Sequence, residues 1–143
     1  MRIAFICTGN SARSQMAEAL TKAMAKEMGL DVEVYSAGSE PAKEINPYAR
    51  KVMEELGISL EGQYPKGLEE IPLEKMDLVI TLCDHAKQTC PTVPGAKSLH
   101  WSLPDPASYE GSSEEKLELF RRLREEIRGR VFELLNQILT KGL

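Results

Sequence analysis

The sequence predicts an α/β fold with a mainly parallel sheet, on three observations. Short apolar runs alternate with segments of helical periodicity. Two of those runs lead straight into a cysteine, at Cys7 and Cys83. The 143 residues suit one domain, 1–143, and hold no internal repeat, low-complexity tract or interdomain linker.

Ile3–Ile6 reads as the first strand, followed by Cys-Thr-Gly-Asn-Ser. A helix is expected from about Ser14 to Met28. Met16, Leu20, Ala23, Met24 and Met28 recur on one face, and Gly29 stands where a C-terminal stop belongs. Val32–Tyr35 is a second strand, ended by Ser36-Ala37-Gly38. Asn46-Pro47 is a helix cap with a first-turn proline. Val52, Met53 and Leu56 give that helix an apolar face, and Gly57 ends it. Residues 59–75 show no clear period. Leu78–Leu82 is the third strand. Residues 83–97 read as a loop, since Pro91, Pro94 and Gly95 oppose regular structure. Ser98–Trp101 is a fourth strand, and Pro104-Asp105-Pro106 a second loop. Ser112 and Glu115 form a capping box. It opens a last helix that buries Leu119, Phe120, Leu123, Ile127, Val131, Leu134, Leu135 and Ile138.

Composition narrows the function classes. The net charge of −4 argues against nucleic-acid binding, which calls for a basic stripe. No apolar run reaches the roughly 18 residues of a membrane span. No secretion signal is evident, so a cytoplasmic location and no membrane association are expected. In a reducing compartment the three cysteines are inert core residues or chemical groups, not a disulfide framework. On α/β sheets, ligands bind at the carboxyl ends of strands. Cys7 and Cys83 therefore stand on the rim expected to work.

Residues 7–14 read Cys-Thr-Gly-Asn-Ser-Ala-Arg-Ser between a strand and a helix. In such a turn the amides of Thr8, Gly9, Asn10, Ser11, Ala12, Arg13 and Ser14 can converge as an anion cradle. Gly9 permits backbone angles that other residues resist, and Asn10 also tolerates left-handed geometry and can brace the loop. Arg13 offers a planar, permanently charged fork to two oxygens of a tetrahedral anion. The same positive surroundings favour a Cys7 thiolate, and Ser14 can donate a hydrogen bond to it. The loop would thus bind an oxyanion and aim a nucleophile at its central atom.

This segment resembles the phosphate-binding loop of the low-molecular-weight protein tyrosine phosphatases and of the thioredoxin-coupled arsenate reductases that share their fold. Both carry C-(x)5-R-S after a first strand and an Asp-Pro in a late loop, here Asp105-Pro106. The resemblance implies a single-domain three-layer sandwich with a central four-stranded parallel sheet flanked by helices. It implies Cys7 as nucleophile, Arg13 as clamp and Asp105 as the general acid that protonates the departing oxygen. Taken alone, Asp105 would be an ordinary turn residue.

Cys83 and Cys90 divide the reductases from the phosphatases. Thr-Leu-Cys83-Asp-His-Ala-Lys-Gln-Thr-Cys90-Pro is similar to the reductases' redox loop, and so are Gln15 and His100-Trp101. That likeness implies reduction of arsenate to arsenite. Cys7 forms a thiol–arsenate adduct, Cys83 attacks Cys7, and Cys90 resolves the disulfide for thioredoxin. The alternative is a phosphatase working through a phosphocysteine, with Cys83 and Cys90 inert. A binding module that holds an anion without reacting fits poorly with Cys7 beside Arg13. Cys83, His85, Cys90 and His100 match no strong zinc spacing, so no metal site is expected. The implied partners are a small oxyanion and thioredoxin, acting on a monomer without an organic cofactor.

Two departures stand out. Ala12 replaces a second loop cysteine of many relatives. Some relatives also bind potassium beside the loop, through positions matching Asn10, Glu18 and Ser36. A further acidic ligand has no clear counterpart near Tyr64–Lys66, which leaves potassium open.

Overall fold

Residues Ile3–Cys7 are buried without a break, which suits a strand covered on both faces. In the computed structural model, which describes residues 1–142 apart from the side chains of Lys87 and Thr89, Arg2–Cys7 forms β1. It pairs in parallel with β2 (Glu33–Gly38) and β3 (Leu78–Thr81), and β3 pairs in parallel with β4 (Lys97–His100). The order is β2-β1-β3-β4. The helices are α1 (Arg13–Met28), α2 (Pro47–Glu54), α3 (Asp84–Thr89) and α4 (Ser113–Lys141). Short 3-10 turns occupy Leu68–Glu70, Leu73–Lys75 and Pro106–Ser108.

Alternation along the strands builds two cores. Phe5, Leu78 and Ile80 face α1, α2 and α4 through Met16, Leu20, Val52, Phe120, Ile127 and Leu135. Ala4, Ile6 and Val79 face the opposite side, against Ile71, Met76, Ala86 and Val93. The result is the expected three-layer arrangement around a four-stranded parallel sheet. Among the described residues no helix is long and apolar enough to cross a membrane.

Several elements differ from the sequence reading. β2 continues through Ser36, Ala37 and Gly38, because Ala37 and Gly38 pair with Ile6 and Cys7. β3 stops one residue early, at Thr81, and β4 shifts back to Lys97–His100. Trp101 lies just beyond it, buried against Phe5 with ring centroids 5.8 Å apart. Leu56 falls past the end of α2 and is exposed. On α4 the half-buried Leu117, rather than Leu119, packs on the core.

The largest correction concerns 83–97. Its first part is α3, not loop. The residues that oppose regular structure, Pro91, Pro94 and Gly95, all follow the helix. Before them the Cys83 sulfur caps the helix by accepting from the Ala86 amide, and Ala86 is fully buried. The caps at Asn46 and Ser112 form as expected: Asn46 accepts from the Tyr48 amide, and Ser112 and Glu115 close a reciprocal box.

One ionic cluster joins α2 to α4. Arg121 and Arg124 reach Glu55 at 2.7 and 2.8 Å. Their hydrogen bonds hold the Glu55 carboxyl at about 2, against an ordinary 4.5. A carboxyl depressed by folding stabilises above its unfolded value and stops doing so as pH falls through the folded one. Glu55→Gln should therefore flatten the fall in Tm between pH 4.5 and 2. A thermal melt series checks this, and curves of equal steepness would count against the cluster.

Candidate active site

The loop from Cys7 to Arg13 turns from β1 into α1 with every carbonyl from Cys7 to Ala12 occupied. Cys7, Thr8, Gly9 and Ser11 accept from the amides of Ser39, Glu40, Ala42 and Asn46. Asn10 accepts from the Gln15 side chain and Ala12 from the Met16 amide. Each trans peptide points its N–H opposite to its C=O. Tying the carbonyls outward therefore turns the amides of Thr8–Arg13 the other way. There they meet a cavity of about 300 Å³ lined by Cys7–Arg13, Ala42, Asn46, Asp105 and Ala107.

Asn10 is the pivot. Its φ of 50° is the left-handed value expected of it. Its amide donates to the Cys7 sulfur at 3.2 Å, and its Nδ2 donates to Ser14 Oγ at 2.7 Å. Because Nδ2 can only donate, Ser14 Oγ accepts there and keeps its own hydrogen for Cys7 Sγ, 2.8 Å away. Two donors thus converge on the sulfur. Ser14 is fully buried and absent from the cavity wall, so its hydroxyl meets the Cys7 sulfur and not the cavity where the sequence reading put it.

Gly9 corrects the sequence reading. It does not adopt a positive φ, and a Cβ there would meet only ordinary contacts at 3.9 Å. The glycine the loop requires is Gly38 on β2, where a Cβ would lie 2.4 Å from the Thr8 carbonyl and 3.0 Å from the Asn10 amide. Nothing in the local sequence marks it, because the neighbour it spares is 30 residues away in the chain. Gln15 also escaped assignment as a brace. Fully buried, it donates to the Asn10 backbone and side chain and to the Tyr64 carbonyl, and it accepts from Gln63.

Arg13 is buried, with Nη1 on the Leu103 carbonyl at 3.2 Å and Nη2 4.0 Å from Asp105 Oδ1. Asp105 caps the 3-10 turn Pro106–Ser108 by accepting from the Ala107 amide. It is half exposed and lines the same cavity as Cys7. The Cys7 thiol, the Arg13 cation and the Asp105 carboxyl therefore share one cavity.

The other thiols divide. Cys83 Sγ lies 3.2 Å from Thr8 Oγ1, beside the loop. Cys90 caps the far end of α3 and lines a second cavity of about 370 Å³ with Thr81 and His100. Burial pushes the Cys90 thiol up. The six residues of α3 separate the two positions, seven steps and roughly 10 Å of rise, beyond the ~7 Å Cα limit for a disulfide. The structure brings Cys83 to the loop and leaves Cys90 apart.

The oxygens that the resemblance offered to a potassium ion are engaged by the protein's own donors. Glu18 is buried, and its two oxygens accept from Ser36 and Lys22, each at 2.5 Å. Asn10 Oδ1 accepts from the Lys66 amide and from Gln15. Among the described residues no group of three acidic, histidine or cysteine side chains could hold a metal. Removing the ammonium should open the position. Lys22→Met should lower Tm by about 5 °C, since a buried carboxylate loses a partner worth about 2 kcal/mol. Potassium should restore part of that loss and leave the unmodified protein unchanged, as melts with and without the salt would reveal.

Comparison with known proteins agrees with this geometry. The family model described as low molecular weight phosphotyrosine protein phosphatase matches residues 2–142. An arsenate reductase of Halalkalibacterium halodurans is 48% identical over 130 residues, 90% of this chain and 91% of that protein. The structure of a Corynebacterium glutamicum thioredoxin-dependent arsenate reductase superposes with a TM-score of 0.75 at 35% identity. The match covers 96% of this chain and 61% of that one. A low molecular weight protein tyrosine phosphatase from T. tengcongensis superposes with a TM-score of 0.81 at 28% identity, over 96% and 99% of the two chains.

Proposed function

This chain belongs to the low molecular weight phosphotyrosine protein phosphatase family, and on that premise we propose that it reduces arsenate to arsenite, with three thiols supplying the relay. The carrying observation is the seat of Cys83. A hydrolase needs no second thiol, yet Cys83 rests on the hydroxyl of Thr8, next in sequence to Cys7. Its partner Cys90 caps the other end of the same short helix.

In this scheme the loop amides and Arg13 hold the oxyanion, and the Cys7 thiolate attacks arsenic. An oxygen leaves as water with a proton delivered by Asp105. The Cys83 thiolate then attacks the Cys7 sulfur. The S–As bonding pair passes to arsenic, As(V) becomes As(III), and arsenite departs from a Cys7–Cys83 disulfide. Cys90 attacks Cys83, and Cys7 leaves as the thiolate that starts the next cycle. α3 has to unwind for that step, given the span between its caps. Thioredoxin, or another dithiol protein, reduces the Cys83–Cys90 disulfide. The whole relay lies within one chain, so a monomer suffices, and a reducing cytoplasm suits it.

The cavity wall supports a free inorganic ion as substrate. Among the described residues it carries no aromatic side chain, only loop residues with Ala42, Asn46, Asp105 and Ala107. Tyr109, four residues past Asp105, hydrogen-bonds Glu115 instead. An aryl phosphate would find no ring to stack on. Hydrolysis of phosphate monoesters remains the second reading, favoured by the likeness to the T. tengcongensis phosphatase. Cys7, Arg13 and Asp105 suffice for it.

The deciding experiment follows arsenate-dependent oxidation of reduced thioredoxin. Cys83→Ser or Cys90→Ser should each cut turnover by at least about 10³-fold, the scale on which a covalent catalyst fails when one member is lost. Both should retain weak p-nitrophenyl phosphate hydrolysis. Arsenate turnover surviving either change would overturn the relay. Efficient phosphotyrosine hydrolysis without any arsenate response would install the phosphatase reading.

A further inference from the structure

We propose that His100 is a positioning residue of the relay, pinning the Cys83 end of α3 to the sheet so that unwinding begins at the Cys90 end; this rests on the three-thiol reading above. Thr81 and His100 are register partners on β3 and β4. His100 Nδ1 lies 2.8 Å from Thr81 Oγ1, and Nε2 lies 3.1 Å from Asp84 Oδ1. Asp84 is the first residue of α3 and follows Cys83 directly. The ring therefore ties the helix start to the sheet beside the thiol that must strike Cys7.

The tie does not depend on the charge of the ring. With a neutral imidazole, the Thr81 hydroxyl donates to Nδ1 and Nε2–H donates to Asp84. With an imidazolium, Nδ1–H donates to Thr81 and Nε2–H still serves Asp84. The same end is held twice more, by Thr8 on the Cys83 sulfur and by the fully buried Ala86.

The far end is built differently. Among the described residues the Cys90 sulfur reaches the carbonyl of its own neighbour, Pro91, at a loose 3.7 Å. Irregular chain follows through Pro94 and Gly95, the latter at a φ of 83°. The 370 Å³ cavity beside Cys90 leaves room for the chain to rearrange. Cys83 thus keeps its station beside Cys7 while Cys90 travels to it. The two attacks in the relay need that division, since Cys83 must act before Cys90 arrives.

The test follows formation of the Cys7–Cys83 disulfide by quenched thiol labelling, with arsenate as oxidant, in a Cys90→Ser background. His100→Ala should slow it about fivefold, the scale of one partly exposed charged hydrogen bond, with phosphate affinity unchanged. His100→Gln, whose amide can face both Thr81 and Asp84, should recover most of the rate. Asp84→Ala combined with His100→Ala should be no slower than His100→Ala alone. A wild-type rate in His100→Ala, no recovery in His100→Gln, effects that multiply in the double variant, or a matching loss of phosphate affinity would each overturn the assignment. If arsenate does not oxidise the unmodified protein, the reductase reading fails by itself. The pin is then judged by hydrogen exchange in the reduced protein. There His100→Ala should speed exchange of the Ala86 amide about fivefold, and an unchanged rate would refute it.

Discussion

Cys7→Ser should abolish arsenate reduction and phosphate-ester hydrolysis together, by at least about 10⁴-fold, because both begin with the same sulfur–oxyanion bond. The fold should be untouched. Serine is smaller than cysteine, and its hydroxyl can still accept from the Asn10 amide and meet Ser14 Oγ, the two partners of the sulfur. Oxyanion affinity should persist as well, since the cradle is made by backbone amides and Arg13. Calorimetric titration with phosphate beside an activity assay separates these outcomes. Residual turnover within tenfold of the original would mean that the nucleophile lies elsewhere.

Gly38→Ala should be nearly as damaging without touching any reacting atom. The added Cβ would lie 2.4 Å from the Thr8 carbonyl and 3.1 Å from Asn10 Cβ. Neither can give way cheaply. The Thr8 carbonyl is fixed by the Glu40 amide, and Asn10 carries the sulfur's donors. The cost should be about 2–3 kcal/mol of stability, as in other overpacked cores. Phosphate affinity should fall by about 100-fold, since a displacement near 1 Å misaims the amides. Gly9→Ala is the control: its Cβ meets atoms at 3.9 Å, and the fold should tolerate it within about 0.5 kcal/mol. Equal losses at both glycines would show that the close approach at Gly38 is not what shapes the loop.

The contrast between these two glycines shows what the sequence could convey. Strand and helix patterns, the caps at Asn46 and Ser112, and the loop from Cys7 to Arg13 are local signals, and the structure repeats them. Asn10 was legible because its own side chain and its own φ carry the role. Gly38 was not, since its importance lies in contact with a segment far away in the chain. The same limit hid the second half of the site. Pro91, Pro94 and Gly95 gave 83–97 the composition of a loop, but α3 depends on the Cys83 cap and on the burial of Ala86 under the sheet. Gln15 reads as one more polar residue on α1. It becomes a brace only when Gln63 and Tyr64 arrive from another part of the chain. Cys83 and Cys90 were visible as residue types, but not their inequality, with one seated at the loop and the other at a separate cavity.

A helix capped at both ends by the thiols it must bring together links electron transfer to folding. In the relay proposed above, closing the Cys83–Cys90 bond would melt α3, and reducing it would let the helix reform. The helix's own stability is therefore part of the couple's potential, at about 30 mV for each 1.4 kcal/mol. A more stable α3 makes the oxidised chain a stronger oxidant and easier for a dithiol protein to recharge, while slowing Cys90's departure from its end of the helix. On that relay the six residues of helix, Asp84–Thr89, would act as a spring, wound by the electron donor and released by the substrate.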